Sequence, residues 1–232
     1  MKTIGLIGGI SWQSTAEYYR IINQLVNKKL GGNNSAQVLL YSVNFHEIET
    51  GQIAGDWDLL GKKMADAAKR LEKGGADCLL ICANTMHKVA HYIEQAAKIP
   101  LIHIIDVTAY EIIKQKLDCV GLLGTRFTMG ETFYIDRLKR HGIRGIIPDE
   151  ESRAFIHRTI HEELIPGKIV ENSKKGFLEI IEDLFSRGAQ GIILGCTEIP
   201  LLITAKDTKR TLFDTTFIHA NSVVEYAVEN RT

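Results

Sequence analysis

Short apolar runs bounded by Gly, Asn or Pro alternate with longer amphipathic stretches along the whole chain. The runs are TIGLIG (3–8), AQVLLYSV (36–43), DCLLIC (77–82), LIHII (101–105), CVGLLG (119–124), RGIIP (144–148) and GIILGC (191–196). Several are apolar on both faces, the pattern of parallel strands covered by helices on either side. Between them, helical periodicity predicts helices over 14–30, 59–73, 85–97, 107–116, 128–141, 150–165 and 173–187. Gly31-Gly32, Gly74-Gly75, Gly142 and Gly188 follow these stretches closely enough to stop them. FHEIETGQ (45–52) reads as a loop, and a last helix is expected over 216–230. Repeated strand–helix–strand units predict right-handed crossovers and parallel sheets, an α/β fold.

A weak internal repeat organises these elements. KTIGLIGG (2–9) resembles DCVGLLGT (118–125), and LEKGGADCLLICANT (71–85) resembles FSRGAQGIILGCTE (185–198). Each half opens with a Gly-ended strand and later carries a strand ending in Cys. The expectation is two similar doubly wound parallel-sheet lobes related by pseudo-twofold symmetry, residues 1–115 plus 213–232 and residues 116–212. Ligands of such sheets bind beyond the carboxyl ends of the strands. An active site in the cleft between the lobes follows from that expectation.

Composition narrows the function. The 28 Lys and Arg balance 28 Asp and Glu, so no basic field is present to hold nucleic acid or an anionic membrane surface. No run approaches the roughly 18 apolar residues of a membrane span, and MKTIGLIGG is broken by glycine too early for a signal peptide. Four cysteines (Cys78, Cys82, Cys119 and Cys196) are too few for a disulfide framework and read as reduced thiols of a cytoplasmic protein. Of these, Cys78 and Cys119 lie inside strand runs and read as small buried apolar residues. A cysteine where a strand gives way to a helix is different. The amides and positive end of the helix can draw its pKa from about 8.5 toward neutrality, which makes it a nucleophile or general base. Cys196, followed by Thr197 and Glu198, fits that description.

At these residues the chain resembles the aspartate/glutamate racemase family, whose members have two lobes, two active-site cysteines and no cofactor. The resemblance runs nearly end to end through GLIGGISWQST, ICANTMH, LLGT (122–125) and ILGCTEIPLL (193–202). Gly-Cys-Thr-Glu followed by an apolar residue and Pro is the family's second signature, present in full. The resemblance implies a racemase of aspartate, glutamate or related amino acids, homodimeric and metal-free, with a small amino acid as its partner. It makes Cys196 one catalytic thiol and Cys82 the candidate for the other. It assigns Asn84, Thr85 and Thr197 to the substrate carboxylate, Thr125 less fully, and Gln52 to holding the substrate. Ile10, Ala83 and Glu198 are placed by the same motifs along the substrate. A distal carboxylate needs a further anchor, for which Lys168, Arg126, Gln52 and helix N-termini are candidates.

One departure matters. The family's first cysteine directly precedes Asn-Thr, whereas here Ala83 holds that place and Cys82 comes one residue earlier. Side chains alternate along a strand, so the offset turns Cys82 away from residue 83's face unless a bulge re-aims it. Proton abstraction at Cα by one group and delivery on the opposite face by another is the chemistry implied. A one-thiol decarboxylase or isomerase of a small diacid, or a weakened binder of acidic amino acids, is the alternative. Three other features carry less. GLIGG is not a dinucleotide fingerprint and reads as a close-approach turn. The pairs His87/His91 and His157/His161 share helix faces without a third metal ligand, and the basic run at 206–210 reads as a solvated loop.

Overall fold

The computed structural model describes residues 1–228 as two compact units. The first comprises Met1–Ile104 with the last helix from His219, and the second Ile105–Ile218.

In the first unit, β1 (Ile4–Gly8) lies between β2 (Val38–Ser42) and β3 (Cys78–Ile81), all parallel. Around this sheet run α1 (Trp12–Leu30), α2 (Phe45–Ala54), α3 (Trp57–Lys73), a 3₁₀ turn (Thr85–Val89) and α4 (Ala90–Ala96). Alternation sorts the strand side chains into two cores. Ile7, Leu79, Ile81 and Ala83 pack with Ile48, Leu60, Met64 and Met86. Ile4, Leu6, Cys78, Leu80 and Cys82 pack with Tyr18 and Ile22 of α1. Stretches apolar on both faces are thus buried on both faces, as parallel strands require.

The second unit takes up α5 (Ile104–Lys114) from its second residue and continues with β4 (Cys119–Gly124), α6 (Arg126–Gly130), α7 (Thr132–Arg140) and β5 (Arg144–Ile146). Then come α8 (Glu150–Thr159), continued as a π turn (Ile160–Leu164), α9 (Glu171–Ser186), β6 (Gly191–Gly195), α10 (Ile199–Leu202) and β7 (Leu212–Asp214). Its parallel sheet has the order β5-β4-β6-β7. The helix α11 (Thr215–Val228) closes the described chain and lays Ala220, Val223, Val224 and Ala227 on the first unit's core. Residues 229–230 of the expected last helix lie outside the described residues.

Several expectations are corrected. LIHII makes a single bridge, Leu101 to Leu79, and then turns into α5 at Ile104. FHEIETGQ is helical, because Asn44 Oδ1 accepts the His46 amide and starts α2. The expected helix over 128–141 is two, broken at Glu131. The chain passes to the second unit after Ile104, not after residue 115, and returns after Ile218, not before residue 213. A clasp accounts for the first difference: Arg137 of α7 and His141 just after it bind Asp106 of α5, with Arg137 Nε and Nη2 donating at 2.7 and 2.6 Å. Arg137 and His141 hold the Asp106 carboxyl below its ordinary range, although burial works against them.

His219 of α11 is wholly buried. Its Nε2 donates to the Ile102 carbonyl at 2.7 Å, so its Nδ1 must accept from Tyr18 Oη at 2.9 Å. Burial depresses its pKa to about 4. The folded pKa lies below the unfolded value, so His219 costs no stability above about pH 6.5. As pH falls toward 4 the unfolded chain takes up a proton that the fold refuses. The expected result is a loss of about 1 kcal/mol per pH unit over that window. Chemical denaturation from pH 7 to 4.5 should give a flatter profile for His219→Gln than for the native chain. Parallel profiles would remove His219 as the cause.

Candidate active site

In the first unit the expected residues gather beyond the carboxyl ends of β1 and β3. After β1, Gly9 adopts φ 82°, and a Cβ there would stand 2.1 Å from the Val43 carbonyl oxygen. Only glycine fits that turn. The Gly9 amide donates to Thr15 Oγ1 at 2.8 Å, and Ser11 caps α1 by accepting the Ser14 amide. Ile10, buried in this turn, shares a core with Ala83 and Met86. Gln52 projects from α2 and donates through Nε2 to Met86 Sδ at 3.3 Å. Ile10, Gln52, Ala83, Asn84 and Thr85 are therefore brought to one strand-end region.

Cys82 is not among them. Its amide continues the ladder, donating to the Ile7 carbonyl at 2.9 Å, so no bulge interrupts the alternation. Its side chain lies in the opposite core, with Tyr18 and α11, and is fully buried. Burial also pushes its thiol pKa up.

The second unit presents Thr125 and Cys196 beyond the paired strand ends Gly124 and Gly195. The strands meet closely there: a Cβ on Gly195 would come within 2.7 Å of the Leu123 carbonyl oxygen. Thr125 caps α6, its Oγ1 accepting the Thr128 amide. Arg126 is exposed, and its amide donates to His157 Nδ1 at 3.5 Å. Burial, then His161 and Arg126, lower the His157 pKa to about 4, so this ring is neutral at neutral pH. Lys168 lies in the exposed segment after the π turn, its amide donating to the Glu163 carbonyl at 2.7 Å.

Cys196 Sγ donates to Glu198 Oε2 at 3.0 Å, and Thr197 Oγ1 donates to the same oxygen at 2.6 Å. Cys196 and Glu198 are both buried. Burial first, and then the carboxylate, push the thiol pKa well up, while the Thr197 and Glu198 amides pull it down and lose. The expectation of a thiol drawn toward neutrality by the following helix is thus corrected. The helix α10 is only four residues long, and a carboxylate at hydrogen-bond distance outweighs its amides. The strand end sets the thiol against a carboxylate oxygen at hydrogen-bond distance. Sequence spacing revealed that Glu198 was near; it could not reveal that one carboxylate oxygen takes both hydrogens.

The chain thus consists of parallel α/β units, the second with a thiol–carboxylate pair beyond a strand end. A family model, Asp/Glu/hydantoin racemase, matches residues 7–223, and the chain belongs to that family. It is 26% identical over 224 residues to the broad specificity amino-acid racemase RacX of Bacillus subtilis (strain 168), covering 95% of this chain and 96% of that one. A candidate Asp/Glu racemase from Yersinia pestis has a similar structure, with TM-score 0.93, 50% identity and coverage of 98% and 100%. So does an aspartate racemase homologue from Pyrococcus horikoshii OT3, with TM-score 0.87, 36% identity and coverage of 98% and 99%. Among the described residues, no helix is long and apolar enough to cross a membrane, and no three His, Cys, Asp or Glu side chains group to hold a metal ion.

Proposed function

We propose that the chain racemises aspartate, glutamate or related amino acids by proton transfer at Cα, with Cys196 Sγ as the group that exchanges the proton. The observation that carries this reading is the Cys196–Glu198 contact, a thiol proton held against a carboxylate at a strand end. In the forward sense Glu198 takes the thiol proton and the thiolate abstracts from Cα on one face. Inversion requires a proton delivered on the opposite face, from solvent where Ala83 supplies none; in reverse the thiol delivers on its own face. Cα of an amino acid is a very weak acid, so hydrogen-bond donors must meet the charge that develops on the substrate carboxylate. Thr197 and Thr125 are assigned to that task in the second unit, and Asn84 and Thr85 in the first. Lys168, Arg126 and Gln52 are assigned to a distal carboxylate. No electron-sink cofactor enters the reading.

A second reading is favoured by Ala83, which carries no exchangeable proton, and by Cys82, which faces the other core. With one competent thiol, exchange would proceed on one face and inversion would be slow. Proton NMR in D₂O separates the two on D- and L-aspartate and D- and L-glutamate. The panel extends to neutral and basic amino acids, since one relative is of broad specificity. Loss of the Cα proton with appearance of the opposite enantiomer supports racemisation. Loss with retained configuration supports the one-sided enzyme. No exchange on any amino acid would sink both.

A further inference from the structure

The β3 ladder runs out where the expected binding residues begin. Two successive carbonyls, those of Cys82 and Ala83, lie past the named strand and are buried, so each needs a donor. Both receive one from a side chain. Ser14 Oγ of α1 donates to the Cys82 carbonyl at 2.6 Å, and His87 Nδ1 lies 2.8 Å from the Ala83 carbonyl oxygen. The other ring nitrogen of His87, Nε2, is 3.2 Å from the Ile104 amide at the start of α5.

These contacts fix the tautomer. A backbone amide can only donate, so Nε2 must carry the lone pair; the proton then sits on Nδ1, where a carbonyl can only accept. The imidazole is buried and stands edge-on to His103 and His219, with ring centroids 4.6 and 5.6 Å away. A ring flip would set carbon against both partners. His87 thereby ties the 3₁₀ turn to the strand end behind it and to the helix ahead, with Asn84 and Thr85 held in the span.

We propose that His87, locked as the Nδ1–H tautomer, is a positioning residue for the racemase reaction: it fixes the Ala83–Thr85 backbone so that Asn84 and Thr85 meet the substrate in one geometry. The proposal rests on the function argued above, and its test separates the two. His87→Asn can place an amide donor where Nδ1 stands and keep the Ala83 bond. His87→Gln can place an acceptor where Nε2 stands and keep the Ile104 bond instead. Both variants lose the ring, so a merely structural role predicts equal losses.

The expected result is unequal. His87→Gln should lose tenfold or more in kcat/KM for Cα exchange, on the order of what a displacement of about 1 Å costs. His87→Asn should keep the larger share of activity at a similar melting temperature. Amide hydrogen exchange across 84–86 should quicken in His87→Gln only. Long-range proton–nitrogen NMR of the native chain should show Nδ1 protonated and Nε2 bare, a readout that needs no activity. An Nε2–H tautomer, equal loss in both variants, or loss that tracks melting temperature would overturn the proposal. Were the native chain to exchange no Cα hydrogen, the function would fall, while the tautomer and the amide protection would still decide the strand-end lock.

Discussion

Replacing Cys196 with serine is expected to slow Cα exchange by about 10²–10⁴-fold, the usual contribution of a positioned acid–base group, with the fold kept. Serine is nearly isosteric, and its hydroxyl can still donate to Glu198 Oε2 as the thiol does. The hydrophobic core around it, including Met129, Ile156 and Ile199, is left in place. What changes is acidity, since an alcohol gives up its proton far less readily than a thiol. Deuterium incorporation followed by NMR, beside a circular-dichroism melt, makes the comparison. Exchange near the native rate in a folded variant would take Cys196 out of the mechanism. Because burial and Glu198 keep the thiol protonated, alkylation should be slow at neutral pH and quicken as pH rises. A dicarboxylate that occupies the site should slow it further.

Ala83→Cys or Ala83→Thr should raise the rate of inversion, by about tenfold or more if the new group completes an acid–base pair. Alternation along β3 sets Cys78, Leu80 and Cys82 in one core and Leu79, Ile81 and Ala83 in the other. Residue 83 shares its core with Ile10 and Met86, beside Gln52, whereas the Cys82 thiol is sealed beneath α1 and α11. On the proposed function, a proton-carrying side chain is expected to serve at 83 and not at 82. The companion variant Cys82→Ala should cost on the order of 1 kcal/mol of stability, the scale of a small buried group, and leave exchange unchanged. Chiral chromatography of the product, with urea denaturation for stability, reads both. Abolished racemisation in a folded Cys82→Ala chain would restore Cys82 to the chemistry.

Strands with apolar residues on both faces were legible because burial on both sides leaves no polar alternation to hide them: β1, β3, β4 and β6 fall inside the predicted runs. The three-residue β7 was not, since Leu212–Asp214 is too short to show any period. LIHII has the composition of a strand, yet His103 is buried beside His87 and the next residue starts a helix. Only Ile48 and Gly51 of α2 are buried, which leaves its sequence without an apolar stripe to read. At the site, the strand-end place of Cys196 could be read from Gly-Cys-Thr-Glu. The direction of its pKa could not, because the sequence names the helix amides and the carboxylate alike but gives no distances by which to weigh them.

The return of α11 to the first unit has a consequence for how the chain is made. The second unit is one continuous segment, Ile105–Ile218, while the first needs residues from both ends of the chain. During synthesis the face formed by Ile4, Leu6, Leu80 and Cys82 emerges early with Tyr18 and Ile22 of α1, but the rest of its cover, Ala220 to Val228, emerges only after the whole second unit. At about 5–20 residues per second the α11 part of that cover follows on the order of 10 s after the sheet and α1. The first unit therefore completes its core after the second has been made, and until then the part of the sheet face that α1 leaves uncovered is open to chaperones or self-association. A stop codon that removes only the final helix would make this transient state permanent.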